Sequence, residues 1–324
     1  MRRLLYGLAF LALLIVLALA GAIAVGPTAP PPMRSIQAAG ATLDRESADL
    51  PPVRRAVARD GTALAFRTYA AAPDRVAVLI HGSSGSSVSV HGLARALQAA
   101  GVTVHVPDVR GHGESGRNGD IDYVGQLDND IVDLLAGLEP LPAGGKRILV
   151  GHSSGGGFVL RIAGGQFGDR FDGFLMLAPY LSHDAPTVQV RGDAWAAPAI
   201  PRIIVLAILS GLGVHWFDGL PVIAFAVPAE RGSRIRTPTY SFRLWANFAP
   251  HRDWQADIRN IRRPAMVLVG ANDELFRADQ YAPVFRALRP EIPVEMIANL
   301  DHMGPVVSQQ GRAAVIKALD LLSR

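Results

Sequence analysis

The run Gly151-His152-Ser153-Ser154-Gly155 sets a serine between two glycines, directly after the apolar stretch Ile148-Leu149-Val150 and ahead of a segment with helical spacing. A serine on a sharp strand-to-helix turn is built as a nucleophile. The turn strains its backbone, its hydroxyl stands clear of the strand, and the helix N-terminus favours developing negative charge. Gly151 and Gly155 remove side chains that would collide across such a turn. A hydroxyl attacks only when a base takes its proton. Of nine histidines, His302 lies between the last apolar strand, residues 294–297, and the last helix, so its loop reaches the same sheet edge. The base needs a carboxylate to fix its tautomer. Asp273, just after the apolar run 265–269, is the first choice, with Glu274 and Asp279 as fallbacks.

The chemistry of such a set is acyl transfer, whose tetrahedral intermediate needs N–H donors for its oxyanion. The N–H of Ser154 opens the helix and supplies one. The second is expected from His81-Gly82-Ser83, which follows the apolar run 76–80, through the N–H of Ser83. His81 and Gly82 support that loop; His81 and His112 are expected to hold their strand-end loops by hydrogen bonding, and His152, beside the nucleophile with its side chain directed elsewhere, is expected to be structural. Asp108-Val109-Arg110-Gly111-His112-Gly113-Glu114-Ser115 has ligand-type side chains but no second cluster to complete a metal shell, so a hydrogen-bonded turn is expected there. No G-x-x-x-x-G-K-[ST] loop supports nucleotide binding. No cofactor and no metal are expected.

These residues need a frame to bring them together. The runs 76–80, 102–106, 148–150, 174–178, 265–269 and 294–297 are short and apolar, and helical segments separate them. Strands apolar throughout, alternating with helices, predict a mostly parallel sheet covered on both faces. The chemical groups fall at the C-terminal ends of these strands, where open α/β sheets place their ligands. The expected core is therefore 53–183 plus 264–324. Between 184 and 263 the alternation fails. That segment holds all four tryptophans (Trp195, Trp216, Trp245, Trp254) and prolines including Pro186, Pro198, Pro201, Pro221 and Pro228. It predicts a mainly helical, apolar cap over the active edge, suited to a greasy substrate or to contact with a membrane surface.

Apolar residues make up 49% of the chain, enough for a sizeable core, and charged residues only 19%. The formal net charge of +4 includes Arg2 and Arg3, and no basic block of nucleic-acid type occurs. Without cysteine, disulfides, a thiol nucleophile and lipoprotein cleavage are excluded. Residues 4–25 carry no charge and follow Arg2 and Arg3. As a helix they would cross about 30 Å, the hydrocarbon thickness of a bilayer. The preceding arginines favour a single-pass anchor over residues 1–26 with the rest of the chain extracytoplasmic. The competing reading is a cleaved signal sequence and a secreted or periplasmic product. The Pro-rich tract after it predicts a spacer over 27–52.

Together the His81-Gly82-Ser83 motif, the Asp108–Ser115 turn and the Gly151–Gly155 elbow resemble the α/β-hydrolase superfamily, as does the order Ser153, Asp273, His302. Within it they resemble the monoacylglycerol-lipase, lysophospholipase and so-called serine aminopeptidase group. The resemblance covers roughly residues 55–323. It implies an α/β-hydrolase fold and cofactor-free hydrolysis of carboxylic esters, often of lipids, with a small-molecule or lipid ester as substrate and a membrane as the other partner. Haloalkane dehalogenases and epoxide hydrolases share the fold but use aspartate at the nucleophile position, against Ser153. Cofactor-free haloperoxidases and C–C hydrolases keep the serine triad and stay open as alternatives. So does a non-catalytic membrane-bound binding domain, although such relatives usually lose a triad member.

Overall fold

A computed structural model describes residues 2–189, 194–227 and 236–324. It opens with helices α1 (Arg2–Ala24) and α2 (Arg34–Glu46) and strands β1 (Arg54–Val57), β2 (Ala63–Tyr69) and β3 (Ala72–Ile80). Then follow α3 (His91–Ala99), β4 (Val102–Pro107), α4 (Gln126–Ala136), β5 (Lys146–His152), α5 (Ser154–Gly164) and β6 (Gly173–Leu177). An insertion carries β7 (Ala196–Pro198), α6 (Ile200–Gly211), β8 (Pro221–Phe225), β9 (Thr239–Ser241), α7 (Phe242–Asn247) and α8 (Trp254–Asn260). The chain returns with β10 (Ala265–Gly270), α9 (Tyr281–Leu288), β11 (Val294–Ile297), α10 (Gly304–Val307) and α11 (Gln309–Leu322).

Eight strands form one sheet in the order β1-β2-β4-β3-β5-β6-β10-β11. The pairs β1–β2 and β2–β4 are antiparallel, and every later pair is parallel. Successive side chains of a strand point to opposite faces. Accordingly Val78 and Ile80 of β3 join an apolar layer with Phe158, Val159 and Phe174. Ala77 and Leu79 join the other layer, with Leu93, Leu97, Val315 and Leu319. Helices cover both faces, so the inner strands can be apolar at every position. From β3 the chain steps outward to β4 on one side and later to β5 on the other. The loops after β3 and β5 therefore diverge over neighbouring strand ends, paired up to Ile80 and Gly151.

Two segments differ from the sequence expectation. The Pro-rich tract ends at Pro32, and within the expected spacer residues 34–46 form α2 rather than loose chain. Its apolar positions recur at helical spacing, and Met33, Ala39 and Leu43 are buried. Glu46 takes both ends of the Arg312 guanidinium at 3.0 and 2.7 Å, and Asp49 meets His91 and Arg95, each at 3.0 Å. The insertion contains the expected helices, but also a three-stranded antiparallel sheet in the order β7-β8-β9. Its parts at 190–193 and 228–235, Pro228 among them, lie outside the described residues. Trp254 opens α8, which packs on α5 and thus belongs with the core helices.

α1 is the one helix among the described residues long and apolar enough to cross a membrane, with a mean hydropathy of 2.7 over its best window and none of that window buried. It suits a signal or an anchor. Its last turn meets the insertion, where the buried Arg202 of α6 donates to the carbonyls of Ile23 (2.7 Å), Ala24 (3.2 Å) and Pro221 (2.6 Å).

Candidate active site

Ser153 sits between β5 and α5 with φ 56° and ψ −121°. That region disfavours any residue with a Cβ, and occupying it costs on the order of 1–3 kcal/mol. The surroundings enforce it: the Ser153 N–H donates to Leu177 O at 2.9 Å, while its carbonyl accepts from Gly157 and Tyr180, both at 3.0 Å. Both flanking glycines are sterically required. A Cβ at Gly151 would run into the Gly155 carbonyl, and one at Gly155 into the carbonyls of Ile80 and His81. Ser154 begins α5, so its N–H is among the first-turn donors that have no partner inside the helix.

The loops after β10 and β11 bring Asp273 and His302 together. His302 Nδ1 donates to Asp273 Oδ2 at 2.8 Å, and both side chains are buried. With Nδ1 so engaged, the neutral ring presents Nε2 as an acceptor. The other oxygen of Asp273 accepts from the N–H groups of Leu275 (2.9 Å) and Phe276 (2.8 Å). Burial works against the imidazolium, but the charge and hydrogen bond of Asp273 outweigh it, helped by Glu274 and Asp301, and the pKa of His302 stands above its ordinary value. Burial also works against the Asp273 carboxylate, yet His302 and the two backbone donors hold its pKa below the usual range. Of the fallback acids, Glu274 accepts the backbone N–H of His302 at 2.9 Å, and Asp279 pairs with Gln280 and Arg277 at the surface. Ser153 and His302 line one cavity.

The loop at 81–86 abuts this elbow. A Cβ at Gly82 would stand 3.3 Å from both His152 Nδ1 and Ser153 Cβ. The Val109 N–H donates to His81 Nε2 (3.1 Å), so His81 Nδ1 carries the proton and donates to Gly82 O (2.8 Å). His152 Nε2 donates to the His302 carbonyl (2.9 Å), tying elbow to histidine loop, and burial with the nearby His302 charge drops its pKa to about 3. The turn after β4 is held as expected, with Asp108 accepting the N–H groups of Ser87 (2.6 Å) and Glu114 (2.9 Å). Residues 111–116 spell G-x-G-x-x-G, but they close this turn and open no helix, the context dinucleotide binding needs.

Contacts made by three residues of the insertion escape the sequence. From the insertion, Trp195 Nε1 donates to Ser83 Oγ at 2.8 Å, and Thr237 N–H donates to Ser84 O at 3.1 Å. Tyr240 Oη accepts the Ser84 N–H at 2.7 Å and meets His112 Nε2 at 2.6 Å. His112 Nδ1 donates to Val109 O (3.1 Å), which leaves Nε2 to accept the tyrosine proton. The cap therefore holds the loop expected to carry the second oxyanion donor. Only the unplaced apolar and aromatic residues of the insertion hinted at this.

A mostly parallel sheet with a strained serine at one strand end and an Asp–His pair on two neighbouring loops defines an α/β-hydrolase. Over residues 71–303 the chain matches the serine aminopeptidase, S33 family, and it belongs to that family. A monoacylglycerol lipase of Mycolicibacterium smegmatis is 32% identical over 141 residues, which are 40% of this chain and 48% of that protein, so the match spans about half of the relative. A soluble variant of the Saccharomyces cerevisiae monoglyceride lipase, solved with a substrate analogue, superposes with a TM-score of 0.63 at 16% identity, over 85% of this chain and 97% of the other. A bromoperoxidase from Bacillus anthracis superposes with 0.59 at 21% identity, over 83% and 100%. Likeness at these identities establishes the fold alone.

Proposed function

We propose that the protein hydrolyses lipid-like carboxylic esters, of monoacylglycerol or lysophospholipid type, through an acyl-enzyme on Ser153. The observation that carries this reading is the buried Asp273–His302 pair opening onto the cavity that Ser153 lines. In the first half-reaction Ser153 Oγ attacks the ester carbonyl as His302 Nε2 takes its proton. Asp273 holds the ring and stabilises the imidazolium. The N–H groups of Ser83 and Ser154 receive the oxyanion. His302 then protonates the leaving alcohol. Water, deprotonated by the same nitrogen, releases the acid and restores Ser153.

Two features favour a greasy substrate. The cavity wall includes Ile36, Leu43, Val90, Trp195, Leu275 and Met303. α1 offers an anchor, and beside it α6 exposes Ile200, Ile204 and Ile208 at i, i+4, i+8, with Trp216 88% exposed just beyond. The arrangement suits a retained single-pass anchor, an extracytoplasmic catalytic domain and a cap that rests on the membrane surface.

The test is labelling by a fluorophosphonate probe together with hydrolysis of short p-nitrophenyl esters. Ser153→Ala and His302→Ala are expected to lose labelling and to lower kcat by roughly 10⁴-fold or more. Equal turnover by Ser153→Ala and the parent chain would overturn the assignment.

A further inference from the structure

The cavity at Ser153 is small, about 50 Å³. That is room for a few waters or a short acyl group. One of its walls comes from outside the hydrolase core. Ile36, Gly40 and Leu43 of α2, at i, i+4 and i+7, line it together with Ser153 and His302. Residues so spaced share one helix face. Buried Met33 and Ala39 and the paired Glu46–Arg312 bonds fix that face against the core. Gly40 is the notable member. A glycine inside a helix costs roughly 1 kcal/mol relative to alanine. Here it stands on the stripe facing the cavity, where a side chain would enter a space already small.

We propose that α2, the helix joining the candidate membrane segment to the catalytic core, forms the acyl-binding wall, with Gly40 and Ile36 setting the acyl length accepted. The assignment rests on the ester-hydrolase reading of Ser153. On this assignment the acyl group carried by Ser153 packs against α2, so the helix that follows the candidate membrane segment also measures the substrate.

The experiment uses the full chain in detergent with p-nitrophenyl acetate and octanoate. A mismatch of one methylene in an apolar pocket shifts discrimination roughly 10- to 200-fold, so Gly40→Leu is expected to lower the octanoate-to-acetate ratio of kcat/KM about tenfold or more. Leucine is a better helix former than glycine, so α2 persists in this variant. Ile36→Trp, at a half-buried position, narrows the same cavity and is expected to give the same shift independently. Ala38→Leu adds bulk on the exposed side of the helix and is expected to leave the octanoate-to-acetate ratio unchanged. An unchanged ratio in both cavity variants, or an equal shift in Ala38→Leu, overturns the assignment of α2. Fluorophosphonate labelling of Ser153 in the parent chain separates the two levels, since its failure would refute the hydrolase reading itself.

Discussion

Removing one oxygen from the cap tests whether the cap belongs to the catalytic apparatus. In Tyr240→Phe the ring keeps its packing against Phe225 and Phe248, but the hydroxyl between Ser84 and His112 is lost. Ser84, His112 and Tyr240 are all buried. Burial, and after it the neighbouring His81, holds the pKa of His112 well below the ordinary histidine value, so the ring stays neutral and its Nε2 remains an acceptor. The substitution thus strands one backbone donor and one ring acceptor, each costing about 1–3 kcal/mol. The two share a network and do not add fully, so a loss of about 2–4 kcal/mol is expected, or roughly 5–15 °C in Tm.

The catalytic effect follows from where Ser84 lies. It has φ 61°, a conformation that costs on the order of 1–3 kcal/mol and relaxes if its restraint goes. Its amide follows that of Ser83, the proposed oxyanion donor. Deleting such a donor costs about 10²–10³-fold in kcat, and misaiming one is expected to cost about tenfold. The donor acts on charge that develops in the transition state, so KM should hold while kcat falls. Steady-state kinetics on p-nitrophenyl butyrate and thermal unfolding by circular dichroism provide the two readouts. A lowered Tm with kcat unchanged would refute the coupling and leave Tyr240 a packing residue. An unchanged Tm would refute the hydrogen-bond chain itself.

Two further outcomes follow from the elbow and the histidine loop. Gly155→Ala drives a methyl into the carbonyls of Ile80 and His81, and is expected to cost about 2 kcal/mol or more in unfolding free energy, visible as a lower denaturant midpoint. A midpoint equal to that of the parent chain would mean the elbow is looser than its contacts imply. Hydrolysis requires neutral His302, whose pKa is raised, so kcat/KM should fall as pH drops through a pKa higher than that of an ordinary histidine. Glu274→Gln keeps an acceptor for the His302 N–H but removes a charge that favours the imidazolium, so the acid limb should move to lower pH. A limb that stays fixed or rises contradicts that electrostatic account.

The order of apolar strands was legible because strands covered on both faces lose alternation and stand out as continuous apolar runs. Ser153, Asp273 and His302 could be picked out because each follows such a run, and loops at one sheet edge converge however far apart they are in sequence. The same reasoning did not separate Asp273 from Glu274 by chemistry, only by position. The structure turns Asp273 to the ring and Glu274 to the backbone of His302. The strands β7, β8 and β9 have three to five residues, too few for a period-two pattern to register. Tyr240 meets Ser84 and His112 across more than a hundred residues, and a single buried tyrosine carries no mark of its partner in sequence. α2 was partly legible. Ile36, Ala39, Gly40 and Leu43 have helical spacing, but the prolines at 27, 30, 31 and 32 just before them mask it.

Those contacts limit how the cap can move. Swinging it off the sheet edge as a rigid unit breaks the Trp195–Ser83, Thr237–Ser84 and Tyr240–Ser84 hydrogen bonds together. At about 1 kcal/mol net for each, these three alone add about 3 kcal/mol to the cost of opening before any apolar surface is exposed, which places the open form at or below roughly one molecule in a hundred. A cap so fastened is a poor gate and a good brace. It holds Ser83 and Ser84 in place. Its strand β8, paired with the strand that carries Tyr240, begins at Pro221, whose carbonyl is bound by the same arginine that binds the end of α1. A pull on α1 would therefore reach the loop at Ser83 and Ser84 through one arginine and two strands. Changes at Arg202 should register in kcat even though that side chain faces α1 and not the substrate.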